Sequence, residues 1–197
     1  MRRFCLTGSL VVVAAALAAF CLLPRPRRTP PLPSPAPGAI RQPVPSPRIV
    51  IEKAQRRLTL HSGDRAVKAY RIALGRNPVG DKEREGDGRT PEGDYRVCVK
   101  NPQSRFTLSL GLSYPNAKDA ARGLAARLIS QEQHAQIVGA IERGERPPWD
   151  TPLGGEIFIH GSGAGSDWTR GCIALDDPDI RDLFPIIPVG TPVTIVP

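Results

Sequence analysis

Short apolar runs, several of them alternating with polar residues, dominate the chain from position 48 onward. Runs at 48–53, 57–61 and 66–74 are rich in Ile, Val, Leu and Tyr, and Ser62-Gly63-Asp64 between the last two is typical of a hairpin turn. Because a period of two places one face of a strand against a core, these runs predict β-strands. The same pattern predicts further strands at 95–100, 106–110 and 191–196.

The apolar spacing becomes helical between residues 117 and 152. Asn116 is a typical N-cap for a first helix, and Ser130 with Gln133 forms a capping box that opens a second. A short third helix is predicted from Asp176 through Leu183. We therefore expect a mainly β, α+β domain over 48–197 with a helical insertion at 117–152, which either covers a site or simply packs against the core.

The amino-terminal residues differ from this domain in composition. Residues 4–23 form an apolar stretch of 20 residues without charge, which predicts an apolar helix serving as a signal anchor or a cleaved signal peptide over residues 1–23. Residues 24–47 are rich in proline and predict an extended spacer. We expect a domain tethered to a membrane through this N-terminal segment.

The distribution of charged residues along the chain limits the classes of partner that the domain could bind. The chain has a formal net charge of +8, but residues 1–48 contain seven arginines and no acidic residue. The remaining residues are therefore close to neutral. Because a nucleic-acid-binding domain needs a basic face on its folded part, this distribution argues against a nucleic-acid partner.

Candidate chemistry concentrates in residues 157–175. An apolar run ends on His160, a glycine-dense loop follows, and Cys172 precedes a second apolar run. A thiol becomes a strong nucleophile only after losing its proton, and His160 is the available base. Glycines around the pair, including Gly161 and Gly171, let the backbone turn sharply and bring N–H groups close to a bound carbonyl.

Two ordered motifs resemble those of the L,D-transpeptidase (YkuD-type) catalytic domain. One is Ile159-His160-Gly161 followed by Thr169-Arg170-Gly171-Cys172-Ile173, and the other is the Thr-Pro-Glu-Gly-Asp-Tyr segment at 90–95. The resemblance implies a β-sandwich-like catalytic domain in which Cys172 is the nucleophile and His160 is the base. It also raises the expectation that the glycine-rich loop at 75–93 lines a substrate groove, although an ordinary solvated surface is the alternative.

The resemblance further implies the reaction and its partners. Cys172 would attack a carbonyl of a peptidoglycan stem peptide, form a thioester, and pass the acyl group to an amine of another stem or of a wall-anchored protein. The Gly161 carbonyl would orient the imidazole, Gly171 would help to form an oxyanion hole, and neither a metal nor a cofactor is implied. The expected location is the bacterial periplasm, with the chain tethered to the inner membrane. We expect the substrate-binding residues to be Thr169, Arg170, Trp168, Ser113 and Tyr114.

Two departures from the family pattern keep alternatives open. Arg170 stands where the pattern commonly has His, and Ala174 stands where it has Arg, which leaves substrate carboxylate binding unassigned. A hydrolase on the same scaffold is one alternative, acting on stem peptides or releasing a wall-linked protein. A non-catalytic wall-binding module is another, with Cys172 in a disulfide with Cys98. Trp149 is interpreted as a packing anchor, with sugar stacking as its alternative.

Overall fold

The computed structural model describes residue 40 and residues 43–197. The predicted apolar helix at 4–23 and most of the proline-rich spacer lie outside the described residues. Within the described part of the chain, no helix has both the length and the apolar character needed to cross a bilayer.

The described residues form a sheet-dominated α+β fold. Its strands are β1 (Pro47–Glu52), β2 (Arg57–Ser62), β3 (Arg65–Arg71), β4 (Gly93–Asn101), β5 (Ser109–Leu112), β6 (Phe158–His160), β7 (Ile173–Ala174) and β8 (Pro192–Val196). Its helices are α1 (Ala117–Ala125), α2 (Gln131–Glu142) and α3 (Asp177–Leu183). The expected mainly β, α+β class is confirmed.

All eight of these strands belong to one mixed sheet in the order β3-β2-β1-β8-β4-β5-β6-β7. β4 pairs with β8 through its first half and with β5 through its second half, and the register shifts between Val97 and Val99. Just beyond β3, Ala73 exchanges two backbone hydrogen bonds of 2.8 and 2.9 Å with Ala174 in β7. This bridge joins the two ends of the strand order, so the sheet closes on itself around its core.

Alternation along the strands builds that core. β1 and β2 bury Ile49, Ile51, Leu58 and Leu60 completely. β8 adds further inward-facing side chains, and apolar residues of β6 and β7 extend the same cluster toward the candidate chemistry. Burial of one face of β1, β2 and β8 is what the period of two predicted.

Local capping signals place the helices. Asn116 and Ser130 are the N-caps of α1 and α2, and both form complete capping boxes, with Asp119 and Gln133 respectively, as predicted for Ser130. Asp119 is fully buried and accepts a hydrogen bond of 3.0 Å from the Tyr95 hydroxyl, which ties α1 to β4. The two helices share a small separate apolar cluster.

Two predicted elements differ in detail. β5 begins at Ser109 instead of 106, because the Phe106 carbonyl accepts hydrogen bonds from Leu108 and Gly161 and Thr107 has a positive φ of 73°. Asp176 does precede α3, but its carboxylate makes no cap hydrogen bond. It accepts instead from the Ala164 N–H at 3.0 Å, so it secures the loop after β6.

Candidate active site

The parallel pairing of β6 with β7 brings the two reactive side chains to one face of the sheet. Ile159 pairs with Ile173 and His160 pairs with Ala174. Since side chains alternate across a strand and paired residues share a face, the core-facing isoleucines leave His160 and Cys172 together on the opposite face. His160 is the last residue of β6, and Cys172, twelve positions later, directly precedes β7.

Backbone groups surround the sulfur of Cys172. The Phe158 N–H points at Sγ from 3.4 Å, and the sulfur lies 3.5 Å from the Glu156 carbonyl oxygen. Burial raises the pKa of the Cys172 thiol, the Phe158 N–H opposes that rise, and the charges of Glu156 and Lys82 act in opposite directions. The net effect keeps Cys172 a neutral thiol near pH 7, so a base must remove its proton when the sulfur reacts.

His160 is held by its neighbours and is only 2% exposed. Its Nδ1 lies 2.7 Å from the Gly161 carbonyl oxygen, a pure acceptor, so Nδ1 carries the proton and Nε2 is left as the basic nitrogen. Burial lowers the pKa of the imidazole, and this hydrogen bond partly offsets the effect. His160 is therefore neutral and able to accept a proton near pH 7.

Aromatic rings fix the orientation of the imidazole. The Phe106 ring stacks on it with centroids 4.6 Å apart and an interplanar angle of 24°. The Trp168 ring meets it edge-on at 5.6 Å, and Trp168 Nε1 donates to the Gly163 carbonyl at 3.1 Å. These contacts restrict rotation of the imidazole and reduce its access to water.

The loop after His160 is fastened by acidic residues that follow β7. Asp177 accepts hydrogen bonds from the Ser162 N–H at 2.8 Å and from the Thr107 hydroxyl at 2.7 Å. A side chain at Gly161 would bring its Cβ within 2.5 Å of the same carboxylate and 2.9 Å of the Phe106 carbonyl oxygen. Glycine at 161 is therefore required by close packing beside the histidine.

Thr169 holds the turn that presents Cys172. Its hydroxyl donates to the Cys172 carbonyl at 2.7 Å and accepts from the Gly171 N–H at 3.1 Å. Gly171 has a φ of 133°, and a Cβ there would come within 2.6 Å of the Arg89 carbonyl oxygen. The turn is thus closed by one threonine and one glycine, and the Gly171 N–H is already engaged within it.

The glycine-rich loop at 75–93 packs against this turn. Lys53, which is 2% exposed, binds it through the Thr90 carbonyl at 3.0 Å and the Glu92 carboxylate at 2.7 Å. The hydroxyl of Thr90 accepts from the Gly75 N–H at 3.1 Å. These bonds fix the loop where the Arg89 backbone touches Gly171, so part of the 90–95 motif supports the cysteine turn.

The residues predicted to bind substrate fall into two groups. Trp168, Thr169 and Arg170 lie in the turn before Cys172, where Arg170 is exposed and Thr169 is buried. Ser113 and Tyr114 are 2% and 0% exposed in this structure. The Ser113 hydroxyl accepts from the Arg96 N–H, and the Tyr114 hydroxyl donates to the Leu153 carbonyl, which shows that both stabilise the core.

Other features of the site were not expected from the sequence. The sequence did not indicate that Phe106 belongs to the site, because Phe106 comes to lie beside His160 only when the chain folds. Asp177 was predicted only as part of the start of a helix. The signal that could have found it is the acidic pair Asp176-Asp177, which follows β7 in the sequence. Cys98 and Cys172 are both free thiols, which contradicts the alternative of a disulfide between them.

The site combines a thiol and a neutral imidazole on one face of a closed sheet, and backbone groups surround the thiol. Proteins with such a site form a class that is suited to thiol-dependent acyl transfer. The sequence pattern of the L,D-transpeptidase catalytic domain family, YkuD, matches residues 46–195. The chain belongs to this family.

Three individual proteins illustrate what this chain is similar to. The putative L,D-transpeptidase YafK of Escherichia coli strain K12 is 33% identical over 63 residues, which cover 31% of this chain and 26% of YafK. A variant of the helical cell shape determining protein Pgp2 from Campylobacter jejuni superposes with a TM-score of 0.54 at 24% identity, over 76% of this chain and 46% of that one. Bd1075 from Bdellovibrio bacteriovorus superposes with a TM-score of 0.50 at 20% identity, over 78% of this chain and 48% of Bd1075.

The matches with these proteins are partial. The matched region spans about a quarter of YafK and about half of the chains in the two solved structures. Both solved structures are under 25% identical to this chain and support the fold alone.

Proposed function

We propose that this chain is a cysteine-dependent L,D-transpeptidase that acts on peptidoglycan stem peptides. The proposal is supported by the parallel pairing of β6, which ends at His160, with β7, which begins directly after Cys172, within a domain of this family. In this proposal Cys172 is the nucleophile and His160 is the general base and acid.

The protonation states of the resting pair set the order of proton transfer. Near pH 7 the thiol is protonated and the imidazole is neutral, since burial shifts both pKa values away from the ion pair. As the sulfur attacks the scissile carbonyl, His160 Nε2 takes the thiol proton and a carbon–sulfur bond forms. Breakdown of the tetrahedral intermediate expels an amine, which receives that proton, and leaves a thioester on Cys172.

Stabilisation of the oxyanion is proposed to come from backbone N–H groups around Cys172. The Gly171 N–H was expected to contribute, but it already donates to the Thr169 hydroxyl. The Cys172 N–H is therefore the stronger candidate. A donor aimed at the developing oxyanion is worth about 3–4 kcal/mol of the barrier when it is well placed.

The fate of the thioester separates transfer from hydrolysis. An amine of a second stem peptide, or of a wall-anchored protein, would regenerate the thiol and form a new amide bond. Water in the same position would make the chain a hydrolase. We propose the amine as acceptor, and a cell-envelope location with tethering through residues 4–23, which fractionation of cells expressing the full chain would test.

Product masses test the function directly. The purified full chain is incubated with muropeptides and an amine acceptor, and mass spectrometry follows the products. We expect a cross-linked product together with a released terminal amino acid, whereas release without cross-linking would indicate the hydrolase. Cys172→Ser and His160→Ala should fold normally by circular dichroism and lose turnover by orders of magnitude.

Cys98→Ser is the matched control. It removes a second half-buried thiol of the same domain, one that contacts the Gly111 carbonyl instead of the Glu156 and Phe158 backbone. Its turnover should equal that of the wild type. Near-wild-type turnover in Cys172→Ser would refute the covalent mechanism.

A further inference from the structure

One peptide group, the one that joins Gly161 to Ser162, is hydrogen-bonded on both of its edges. Its carbonyl oxygen lies 2.7 Å from His160 Nδ1, and its N–H donates to Asp177 Oδ1 at 2.8 Å. Because a peptide group is planar and rigid, the carboxylate on one edge fixes the direction of the carbonyl on the other. Asp177 is therefore connected to the imidazole through a single peptide group.

The same carboxylate oxygen holds a second segment that contacts the imidazole. Asp177 Oδ1 also accepts from the Thr107 hydroxyl at 2.7 Å. Thr107 follows Phe106, whose ring stacks on His160 and whose carbonyl accepts from the Gly161 N–H at 3.0 Å. One carboxylate oxygen thus anchors both stretches of backbone that lie against the imidazole.

Both of the anchored residues have an unfavourable backbone conformation. Thr107 and Ser162 have positive φ values of 73° and 78°, in the left-handed region that residues with a Cβ rarely adopt. Such a conformation persists only where the surrounding contacts hold it, and it is common at functional sites. The hydrogen bonds to Asp177 are contacts of this kind.

The carboxyl group of Asp177 is ionised near pH 7. The hydrogen bonds from Ser162 and Thr107 lower its pKa, and burial only partly opposes them. A hydrogen bond to a carboxylate is roughly twice as strong as one to a neutral group, and hydrogen bonds in a chain polarise one another. The negative charge of Asp177 therefore makes the Gly161 carbonyl a stronger acceptor for the proton on His160 Nδ1.

No charged side chain of the described chain acts on the imidazole directly. Burial lowers the pKa of His160, the hydrogen bond to Gly161 opposes this, and no carboxylate among the described residues contributes. The neighbouring acid, Asp176, accepts from the Ala164 N–H at 3.0 Å, two residues beyond the peptide group that His160 contacts. Asp177 is thus the acid of this pair that can influence the imidazole through one peptide group.

We propose that Asp177 is a positioning residue for the reaction and that it orients and polarises His160 through the intervening peptide group. The inference rests on the proposed function, because it concerns the step in which the Cys172 thiol loses its proton. In that step the S–H bond breaks, His160 Nε2 gains the proton, and the imidazole becomes positively charged. Nδ1 keeps its own proton and Asp177 accepts none, so the carboxylate stabilises the new cation without taking part in proton transfer.

Nuclear magnetic resonance of the imidazoles tests the proposal without any turnover. The chain contains three histidines, so the full chain made with isotope-labelled histidine gives few signals, and the signal missing from His160→Gln identifies His160. Asp177→Asn keeps the shape of the side chain and removes its charge. In this variant we expect the Nε2–H tautomer of His160 to become populated and its pKa to fall further, because the Gly161 carbonyl is then a weaker acceptor. An unchanged tautomer and pKa would overturn the proposal.

Asp176→Asn is the matched control. It removes a carboxylate of the same loop that does not hold the peptide group beside His160. The tautomer and the pKa of His160 should therefore match those of the wild type, and the signals of His61 and His134 report whether each variant remains folded. Equal changes in Asp176→Asn and Asp177→Asn would overturn the proposal, because they would trace the effect to the loop as a whole.

A measurement on the wild type needs no variant to fold. Scalar coupling across hydrogen bonds should connect the Ser162 amide nitrogen with the Asp177 carboxylate carbon, and His160 Nδ1 with the Gly161 carbonyl carbon. Both couplings together support the connection. Absence of either would overturn it.

Kinetics extend the test to the reaction and separate this inference from the proposed function. With a stem tetrapeptide donor, Asp177→Asn should lower kcat about 10-fold, the difference between a charge-assisted and a neutral hydrogen bond, and leave KM nearly unchanged. A loss confined to KM would overturn the positioning role. If the wild type cleaves no muropeptide but Asp177→Asn alters the His160 signals, the proposed function fails and the connection stands. If the wild type is active but those signals do not change, the positioning role alone fails.

Discussion

The hydroxyl of Thr169 offers a direct test of how the cysteine turn is held. Thr169→Val keeps the shape of the side chain and removes its oxygen, which donates to the Cys172 carbonyl and accepts from the Gly171 N–H. Thr169 is 3% exposed, so water cannot readily replace either bond. Each buried group left unpaired costs about 1–3 kcal/mol, and we expect a total loss of about 2–4 kcal/mol in the free energy of unfolding.

Thermal unfolding followed by circular dichroism measures the effect. For a domain of this size the expected loss corresponds to a melting temperature about 5–15 °C lower. Thr151→Val makes the same replacement at a buried threonine whose hydroxyl has no partner, so it should leave the melting temperature unchanged or raise it. If Thr169→Val melts within about one degree of Thr151→Val, the assigned role of the Thr169 hydroxyl is wrong.

Three further predictions concern stability and protonation. Lys53→Met should lower the free energy of unfolding by about 3–5 kcal/mol, because it leaves Glu92 without its buried partner. Urea titration measures this loss, and the exposed-pair variant Arg57→Met should leave the free energy of unfolding nearly unchanged. Hydrogen bonds from Ser162 and Thr107 lower the pKa of Asp177. The free energy of unfolding that Asp177→Asn loses relative to the wild type at pH 7 should therefore shrink as the pH falls below about 4, and a difference that does not change with pH would contradict this. Burial raises the pKa of the Cys172 thiol, so alkylation of Cys172 in the His160→Ala variant should become faster only above pH 8. Mass spectrometry measures the alkylation rate at each pH, and a rate that reaches half its maximum below pH 7 would refute the neutral resting thiol.

Features that depend on neighbours along the chain were predictable from the sequence. The N-cap of α1 was predicted from the capping preference of Asn116, and that of α2 from the capping box between Ser130 and Gln133, three positions apart. Most strands were predicted within a few residues, since alternation reports burial of one face. The candidate pair Cys172 and His160 could also be named, because reactive residue types beside glycine-rich turns form a local pattern.

Features that depend on distant parts of the chain required the tertiary structure. No local pattern shows that Ala73 would pair with Ala174 and close the sheet, or that Phe106 would stack on His160. Ser113 and Tyr114 were predicted to bind substrate, and only the fold shows that both side chains are buried.

The physical reason is the range of the interactions. Backbone propensity and capping act over three or four residues, so the sequence alone determined which segments became strands and helices and which residues were chemically capable. Burial, hydrogen-bond pairing and pKa shifts arise only when segments far apart in sequence exclude water from one another. The tertiary structure therefore decided that Cys172 is a neutral thiol on the same face of the sheet as a neutral imidazole.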